Sequence, residues 1–132
     1  MQARKPVVVD QAALDWEGWD DPAVAARSAV RWKLLVSGDR GPSAGVVSGV
    51  GEVAPGGALL RHHHEPEETY YVVSGRGYVE IDGVRADVGP GTAVFIPSSA
   101  WHALYCTGAE PLVFVFTFAR DRFADVKYHF DE

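Results

Sequence analysis

The sequence predicts an all-β domain, a sandwich or small barrel built from short strands. Apolar and polar side chains alternate along residues 30–36, which is typical of a strand with one buried face. Eight or more strand-like runs follow one another, separated by turns rich in glycine and proline. One turn, Asp82-Gly83, is a strong signal for a tight two-residue hairpin. Together these features indicate sheets that pack around one core.

The chain ahead of this β region has a different character. Residues 6–10 (Pro-Val-Val-Val-Asp) predict a short strand with no evident hairpin partner. Between residues 11 and 28, alanine and tryptophan are mixed with acidic residues, and Pro22 interrupts the helical spacing. We therefore expect irregular structure there, with one or two helical turns.

Beyond residue 29 the predicted strands follow in regular succession. After the strand at 30–36 and a turn at 37–43, a second strand, loosened by glycine, covers 44–53. Further strands are predicted at 59–64, 68–73, 78–81, 84–88, 93–96, 101–106 and 111–118. The last has phenylalanine at every second position, so one of its faces carries a row of phenyl rings.

Length and composition indicate one domain, with a barrel core at about 30–118, an N-terminal arm at 1–29 and a C-terminal tail at 119–132. The 132 residues are 47% hydrophobic, enough for a single core. A net charge of −6 with scattered basic residues argues against nucleic acid as a partner. No apolar run reaches the length of a membrane span, and the single cysteine, Cys106, fits a reducing cytoplasm.

The most informative feature is a histidine triplet at 62–64, followed by Glu68 and, much later, His102. Strand side chains alternate between faces, so His62 and His64 point the same way and His63 points away. Glu68 lies on the next predicted strand, and His102 lies on a strand far along the chain. The imidazole of His102 then completes a pocket that offers three nitrogens and one carboxylate oxygen. This donor set suits one divalent transition metal per chain, with zinc favoured and iron(II), manganese or nickel as alternatives.

The spacing of these residues resembles the paired signature of the cupin superfamily over about 44–118. The two halves read Gly56-x5-His62-x-His64-x3-Glu68-x6-Gly75 and Gly91-x5-Pro97-x4-His102. The resemblance implies a double-stranded β-helix, the cupin jelly-roll β-barrel. It also implies that the metal lies inside the barrel on His62, His64, Glu68 and His102.

Two positions depart from that signature. Ser99 stands where glycine is usual, and Cys106 where asparagine is common. Neither is a metal ligand in the resemblance, so the departures concern loop geometry and strand pairing. Cys106 lies in an apolar, strand-like stretch and is expected to be a buried, inert thiol.

The flanking segments resemble two groups of small cupins. Residues 31–38, 68–77 and 123–130 are similar to the cyclases of aromatic polyketide antibiotic biosynthesis, of the tetracenomycin and resistomycin type. The same segments are also similar to the cupin dimethylsulfoniopropionate lyases. The closer likeness of the flanks and the aromatic strand at 111–118 favour a cyclase, which would direct aldol-type closure of an aromatic poly-β-ketone.

A cyclase of this kind must remove a proton between two carbonyls and stabilise the resulting enolate. Glu68, Tyr70 and His102 are the candidate catalytic residues, with Glu68 or a metal-activated water as the base and Tyr70 as a proton relay. The apolar substrate would be bound by six candidate wall residues: Trp32, Tyr70, Phe95, Leu104, Phe114 and Phe116.

Other functions stay open on the same site, because fold does not fix function. A lyase is the first alternative, and a dioxygenase or isomerase on another small molecule follows. A sensor module is disfavoured by the absence of a DNA-binding segment. The partners expected are a small-molecule substrate and a second copy of the chain. The second copy is expected because the apolar strand at 6–10 has no partner, and unpaired strand edges tend to be covered.

Overall fold

The computed structural model of the chain describes residues 5–131, which form two antiparallel five-stranded sheets around a common core. Its strands are β1 (Val30–Val36), β2 (Val47–Val53), β3 (Ala58–His63), β4 (Glu68–Ser74), β5 (Gly77–Ile81), β6 (Val84–Val88), β7 (Ala93–Ile96), β8 (His102–Cys106), β9 (Leu112–Phe118) and β10 (His129–Phe130). One sheet has the order β1-β2-β9-β4-β7 and the other β10-β3-β8-β5-β6. The predicted all-β jelly roll is confirmed.

The aromatic strand β9 turns its phenyl rings into the core. Phe114, Phe116 and Phe118 are buried, while the residues between them are partly exposed. Their partners across the ladder with β2 are small, because Gly51 lies opposite Phe114 and Gly49 opposite Phe116. A Cβ atom at either glycine would overlap the facing phenyl ring. The glycines that loosen the second predicted strand therefore make room for the core aromatics.

The hairpin predicted at Asp82-Gly83 is confirmed. Both residues have positive φ, 47° and 84°, as a type I′ turn requires. The turn joins β5 to β6 with Ile81 paired to Val84. This pairing sets the register of one edge of the second sheet.

The described part of the N-terminal segment pairs with β1 at one isolated bridge. Glu17 and Trp32 exchange backbone hydrogen bonds of 2.7 and 3.0 Å. The expected helical turns are short: a 3₁₀ turn at Gln11–Ala13 and an α-helix at Pro22–Ala25, capped by Asp21. No helix among residues 5–131 is long and apolar enough to cross a membrane.

The strand predicted at 6–10 does not form in the single chain, where these residues lie outside any ladder. A strand needs a partner for its backbone groups, and none of the described strands supplies one here. The C-terminal tail, by contrast, packs back on the body. Its residues His129 and Phe130 form β10 and pair with His63 and His62 of β3.

We predict that Gly49→Ala destabilises the protein by about 1–3 kcal/mol, because the added methyl overfills the space held by Phe116. Thermal or urea unfolding measures the change. Gly18→Ala is the matched control, since nothing lies within 4 Å of a Cβ at that position. Equal stability of the two variants would contradict the packing described for β2 and β9.

We also predict that the protein is a homodimer in which the segment at 6–10 is covered by a second copy. Val8 is 95% exposed, and its neighbours Val7 and Val9 are also exposed. Light scattering at micromolar concentration should give twice the chain mass, and removal of residues 1–10 should give the monomer. A monomeric full-length chain would refute this assembly.

Candidate metal centre

Three buried imidazoles meet between two neighbouring strands of the second sheet. His62 of β3 lies opposite His102 of β8 in the ladder, and His64 follows directly after β3. The ring centroids of His62 and His102 are 4.1 Å apart, and those of His64 and His102 are 4.8 Å apart. One nitrogen from each of the three side chains falls within 4.8 Å of the others. Such a cluster can hold one metal ion.

Backbone carbonyls fix the orientation of all three rings. The Nδ1 atom of His62 lies 2.6 Å from the Leu60 carbonyl oxygen. The corresponding contacts join His64 to Pro66 at 3.0 Å and His102 to Ala100 at 2.8 Å. A carbonyl can only accept, so each Nδ1 donates, and Nε2 is left as the atom of each ring that can bind a metal. Metal-binding histidines in proteins are held in this way.

The unpaired nitrogens fit a metal ion. Within residues 5–131, Nε2 of His62 and Nε2 of His102 are buried and have no hydrogen-bond partner. Burial lowers the pKa of His62 well below its ordinary value, and the nearby imidazole of His102 lowers it further. A neutral imidazole with a free lone pair is the form that binds a transition metal.

Glu68 stands beside the imidazoles at the start of β4. Its Oε1 atom lies 3.1 Å from Nε2 of His64 and 3.4 Å from Nε2 of His102, and the carboxylate is buried. Both nitrogens are the ones that face the cluster. Glu68 is therefore placed to complete the ligand set or to exchange a proton next to it.

An aromatic cavity of about 30 Å³ adjoins Glu68. It is lined by Trp19, Val30, Trp32, Gly51, Leu59, Glu68, Tyr70, Phe114, Phe116 and Tyr128. Burial raises the pKa of the Tyr70 hydroxyl well above its ordinary value, and the charge of Glu68 raises it further. The pKa of Tyr128 is raised by the same two causes. Both phenols are therefore protonated at neutral pH and can donate a hydrogen bond.

Four of the six predicted wall residues line this cavity: Trp32, Tyr70, Phe114 and Phe116. The expectation for Phe95 is wrong, because Phe95 is 56% exposed on the outer side of β7 while Val94 and Ile96 point inward. Leu104 is buried in the core, but the residues that line the cavity do not include it. Leu59 of the neighbouring strand lies there instead.

Two further wall residues come from the terminal segments. Trp19 and Tyr128 line the cavity, and their ring centroids are 5.2 Å apart. The predicted strands gave no signal for either residue, because both lie outside them. The expected orientation of His63 is confirmed, since its ring packs between Trp101 and His129 on the other face of β3.

The loop before β8 holds His64 and His102 in place through backbone hydrogen bonds. Ser99 has a φ of 62°, in the left-handed region that glycine favours, which explains why glycine is usual there. Its N–H donates to the carbonyl oxygen of His64 at 2.9 Å. The next residue, Ala100, accepts the hydrogen bond that orients His102. A strained serine thus links two of the three histidines.

Comparison with known sequences agrees with this architecture. The model of the family described as "Cupin domain" matches residues 49–118. The chain is also similar to dimethylsulfoniopropionate lyase DddW of Ruegeria pomeroyi. The two are 34% identical over 125 residues, which cover 95% of this chain and 80% of the lyase.

Solved structures show the same fold. A cupin-2 domain protein from Rhodospirillum rubrum superposes with a TM-score of 0.76 at 23% identity, covering 100% of this chain and 80% of that one. The polyketide cyclase RemF from Streptomyces resistomycificus gives a TM-score of 0.76 at 23% identity, with 100% and 87% covered. At this level of identity the similarity concerns the fold alone.

We predict about one divalent metal ion per chain in protein prepared without chelator. His102→Ala should lower the metal affinity by more than the roughly 10- to 100-fold typical of losing a group that only orients a ligand. His63→Ala is the control and should retain the metal, because its ring lies on the opposite face of β3. Elemental analysis and competition with a chelator measure both. Equal metal content in the two variants would contradict the site.

We predict that Ser99→Gly stabilises the protein by about 1 kcal/mol, because glycine adopts the left-handed conformation without strain. Ser98→Gly is the control and should destabilise it. Ser98 Oγ donates to the carbonyl oxygen of Glu65 at 2.5 Å, and glycine removes that bond. Chemical unfolding of both variants checks the two signs. A loss of stability in Ser99→Gly would show that strain is absent from this loop.

Proposed function

This chain belongs to the cupin family, and from that membership we propose that it is a metal-dependent lyase acting on a small sulfonium carboxylate of the dimethylsulfoniopropionate type. The relative that is similar over 95% of the chain is named as such a lyase. The observation that carries the proposal is the cavity beside Glu68, which is small and walled by aromatic rings.

The size of the cavity favours a compact substrate. Its volume of about 30 Å³ is roughly the space of one water molecule. An outer pocket of about 300 Å³ adjoins it and shares the walls Trp19, Trp32 and Tyr128. The two spaces together lie at the low end of the roughly 300–1,000 Å³ typical of ligand sites. A folded poly-β-ketone chain needs far more room than a short zwitterion.

The chemistry of the walls also suits a cation. Faces of tryptophan, tyrosine and phenylalanine attract a positively charged group within about 6 Å. Phe114 and Tyr70 lie edge to face, with centroids 4.8 Å apart, and line the same cavity as Glu68. A sulfonium group would find aromatic faces there, with the negative charge of Glu68 nearby.

The reaction follows from these positions. Glu68 takes the proton from the carbon next to the substrate carboxylate, the electron pair of that C–H bond forms a carbon–carbon double bond, and the bond from the next carbon to sulfur breaks. The products are an unsaturated carboxylate, a neutral sulfide and a proton held on Glu68. Tyr70 and Tyr128, both protonated, donate hydrogen bonds to a substrate oxygen, and Glu68 gives up its proton to water after the products leave. A divalent ion held by His62, His64 and His102, with Glu68 beside them, would supply Lewis-acid polarisation of a substrate oxygen.

Polyketide cyclisation, which the flanking segments favour, stays the second candidate. Its main physical support was an aromatic wall, and that wall is present. The same wall serves a sulfonium group equally well, and the combined volume of the inner cavity and the outer pocket suits the smaller substrate better. The order of the two candidates is therefore the reverse of the one predicted from the sequence.

We predict that the metal-loaded protein releases dimethyl sulfide and acrylate from dimethylsulfoniopropionate. Gas chromatography measures the sulfide and proton NMR the acrylate. Glu68→Gln should lower the rate at least about 100-fold, since it removes the base. His63→Ala should retain the rate of the unaltered protein.

In parallel, the protein is added to a minimal polyketide synthase. A change in the ring that closes, without sulfide release, would replace the lyase with the cyclase.

A further inference from the structure

The metal centre and the cavity beside it are closed in this structure. The side chains of His62, His64, His102 and Glu68 are all buried. The inner cavity, of about 30 Å³, has roughly the space of one water molecule. A ligand of several atoms therefore cannot reach the centre unless part of the chain moves.

The C-terminal segment contributes rings that cover these imidazoles. The ring centroids of Tyr128 and Phe130 lie 5.2 and 5.4 Å from that of His62, and Tyr128 lies 5.2 Å from His64. Tyr128 also lines both the inner cavity and the outer pocket. Displacement of its ring would remove a wall that the two spaces share.

The tip of this segment is held at few points. β10 pairs with β3 at two positions and lies at the edge of its sheet. One further backbone hydrogen bond, of 3.0 Å, runs from the N–H of Asp131 to the carbonyl oxygen of Arg61, and the two side chains form an ion pair at 2.9 Å. These side chains are 52% and 37% exposed, and exposed ion pairs contribute little stability. Chain ends held by few exposed contacts open at low free-energy cost.

The base of the segment, in contrast, is anchored in the body of the domain. The N–H of Phe123 donates to Oγ of Ser37 at 2.9 Å. Val126 is buried and belongs to the hydrophobic core. Lys127, the next residue, is exposed. The anchored base and the lightly held tip therefore meet at Lys127, where the backbone can turn.

We propose that residues 127–131 form a flap that opens to admit ligands to the metal centre. The flap turns about Lys127, covers the imidazoles with Tyr128, and is latched at its tip by the ion pair between Arg61 and Asp131. The inference goes beyond the proposed function, because a ligand of either candidate reaction would use the same entrance. The flap thus decides which molecules reach the centre and how fast.

A disulfide between the flap and β3 tests this directly. His63 and His129 lie opposite each other in the ladder, and neither belongs to the metal centre. Residues directly opposed in an antiparallel pair have Cα atoms about 4.5–5.5 Å apart, which a disulfide can span. The native Cys106 is buried and the sequence has no other cysteine, so the variant His63→Cys/His129→Cys can form one defined bridge.

The probe is acetohydroxamate, a chelating anion larger than the inner cavity, added to the cobalt(II)-loaded variant in a stopped-flow experiment. The visible absorption of the ion reports binding. Oxidation of the two cysteines should lower the association rate at least about 10-fold, because the flap can no longer open. The same variant, reduced and freed of reductant, is the matched control and should bind at the rate of the unaltered protein.

Two outcomes would overturn the flap. One is an oxidised variant that binds acetohydroxamate as fast as the reduced one, which would place the entrance elsewhere. The other is an unaltered cobalt protein whose spectrum never responds to the probe, which would show that the centre does not open. Neither measurement requires turnover, so the result stands whether or not sulfide is released.

The latch is tested without a disulfide. Asp131→Asn removes the ion pair with Arg61 and should speed association about two- to fivefold, the usual effect of losing an exposed ion pair on the closed form. Asp125→Asn is the matched control, because Asp125 pairs with Arg122 at 2.9 Å at the base of the segment. Its association rate should equal that of the unaltered protein. Equal rates in the two variants would refute the latch.

Discussion

Three hydrogen bonds between imidazole Nδ1 atoms and backbone carbonyls orient the centre on which the site depends. Each carbonyl lies two residues from its histidine, at Leu60, Pro66 and Ala100. The local course of the backbone therefore decides where the Nε2 lone pairs point. This dependence explains why the loop that carries Ala100 tolerates a strained residue, Ser99, whose N–H ties it to the carbonyl of His64. The geometry of the centre is a property of the main chain as much as of the side chains.

Packing behind the centre follows from a size match between β2 and β9. Glycines at 49 and 51 face phenyl rings at 116 and 114, and the rings fill the space that side chains on β2 would occupy. The first sheet thereby brings a row of aromatic faces to the side of Glu68. The second sheet supplies the imidazoles from β3 and β8. The candidate site lies where the two sheets face each other, so neither sheet forms it alone.

The sequence predicted strands β1 to β9 and the cluster formed by His62, His64 and His102, because period-two alternation and fixed motif spacing are readable in the chain itself. It failed at Phe95 since all four residues of β7 are apolar, and alternation then gives no sign of which ones point inward. It also gave no indication of Trp19 and Tyr128. Their positions depend on how the terminal segments cross the barrel. That course is set by the Glu17–Trp32 bridge and by the pairing of β10 with β3, which no local pattern encodes.

The closure of the barrel by both terminal segments has a kinetic consequence. The three imidazoles are at most 1% exposed, and rings of the C-terminal segment pack beside them, with Tyr128 5.2 Å from His62 between ring centroids, while Trp19 of the N-terminal segment packs on Tyr128. Entry or exit of an ion therefore requires the chain around the centre to open locally. At high chelator concentration, where capture outpaces reclosing, exchange of the ion proceeds at the rate of that opening. The ion that binds first is then retained for a time set by the rate of this local opening. Which ion the protein carries therefore depends on the order in which metals were supplied as well as on its equilibrium affinities.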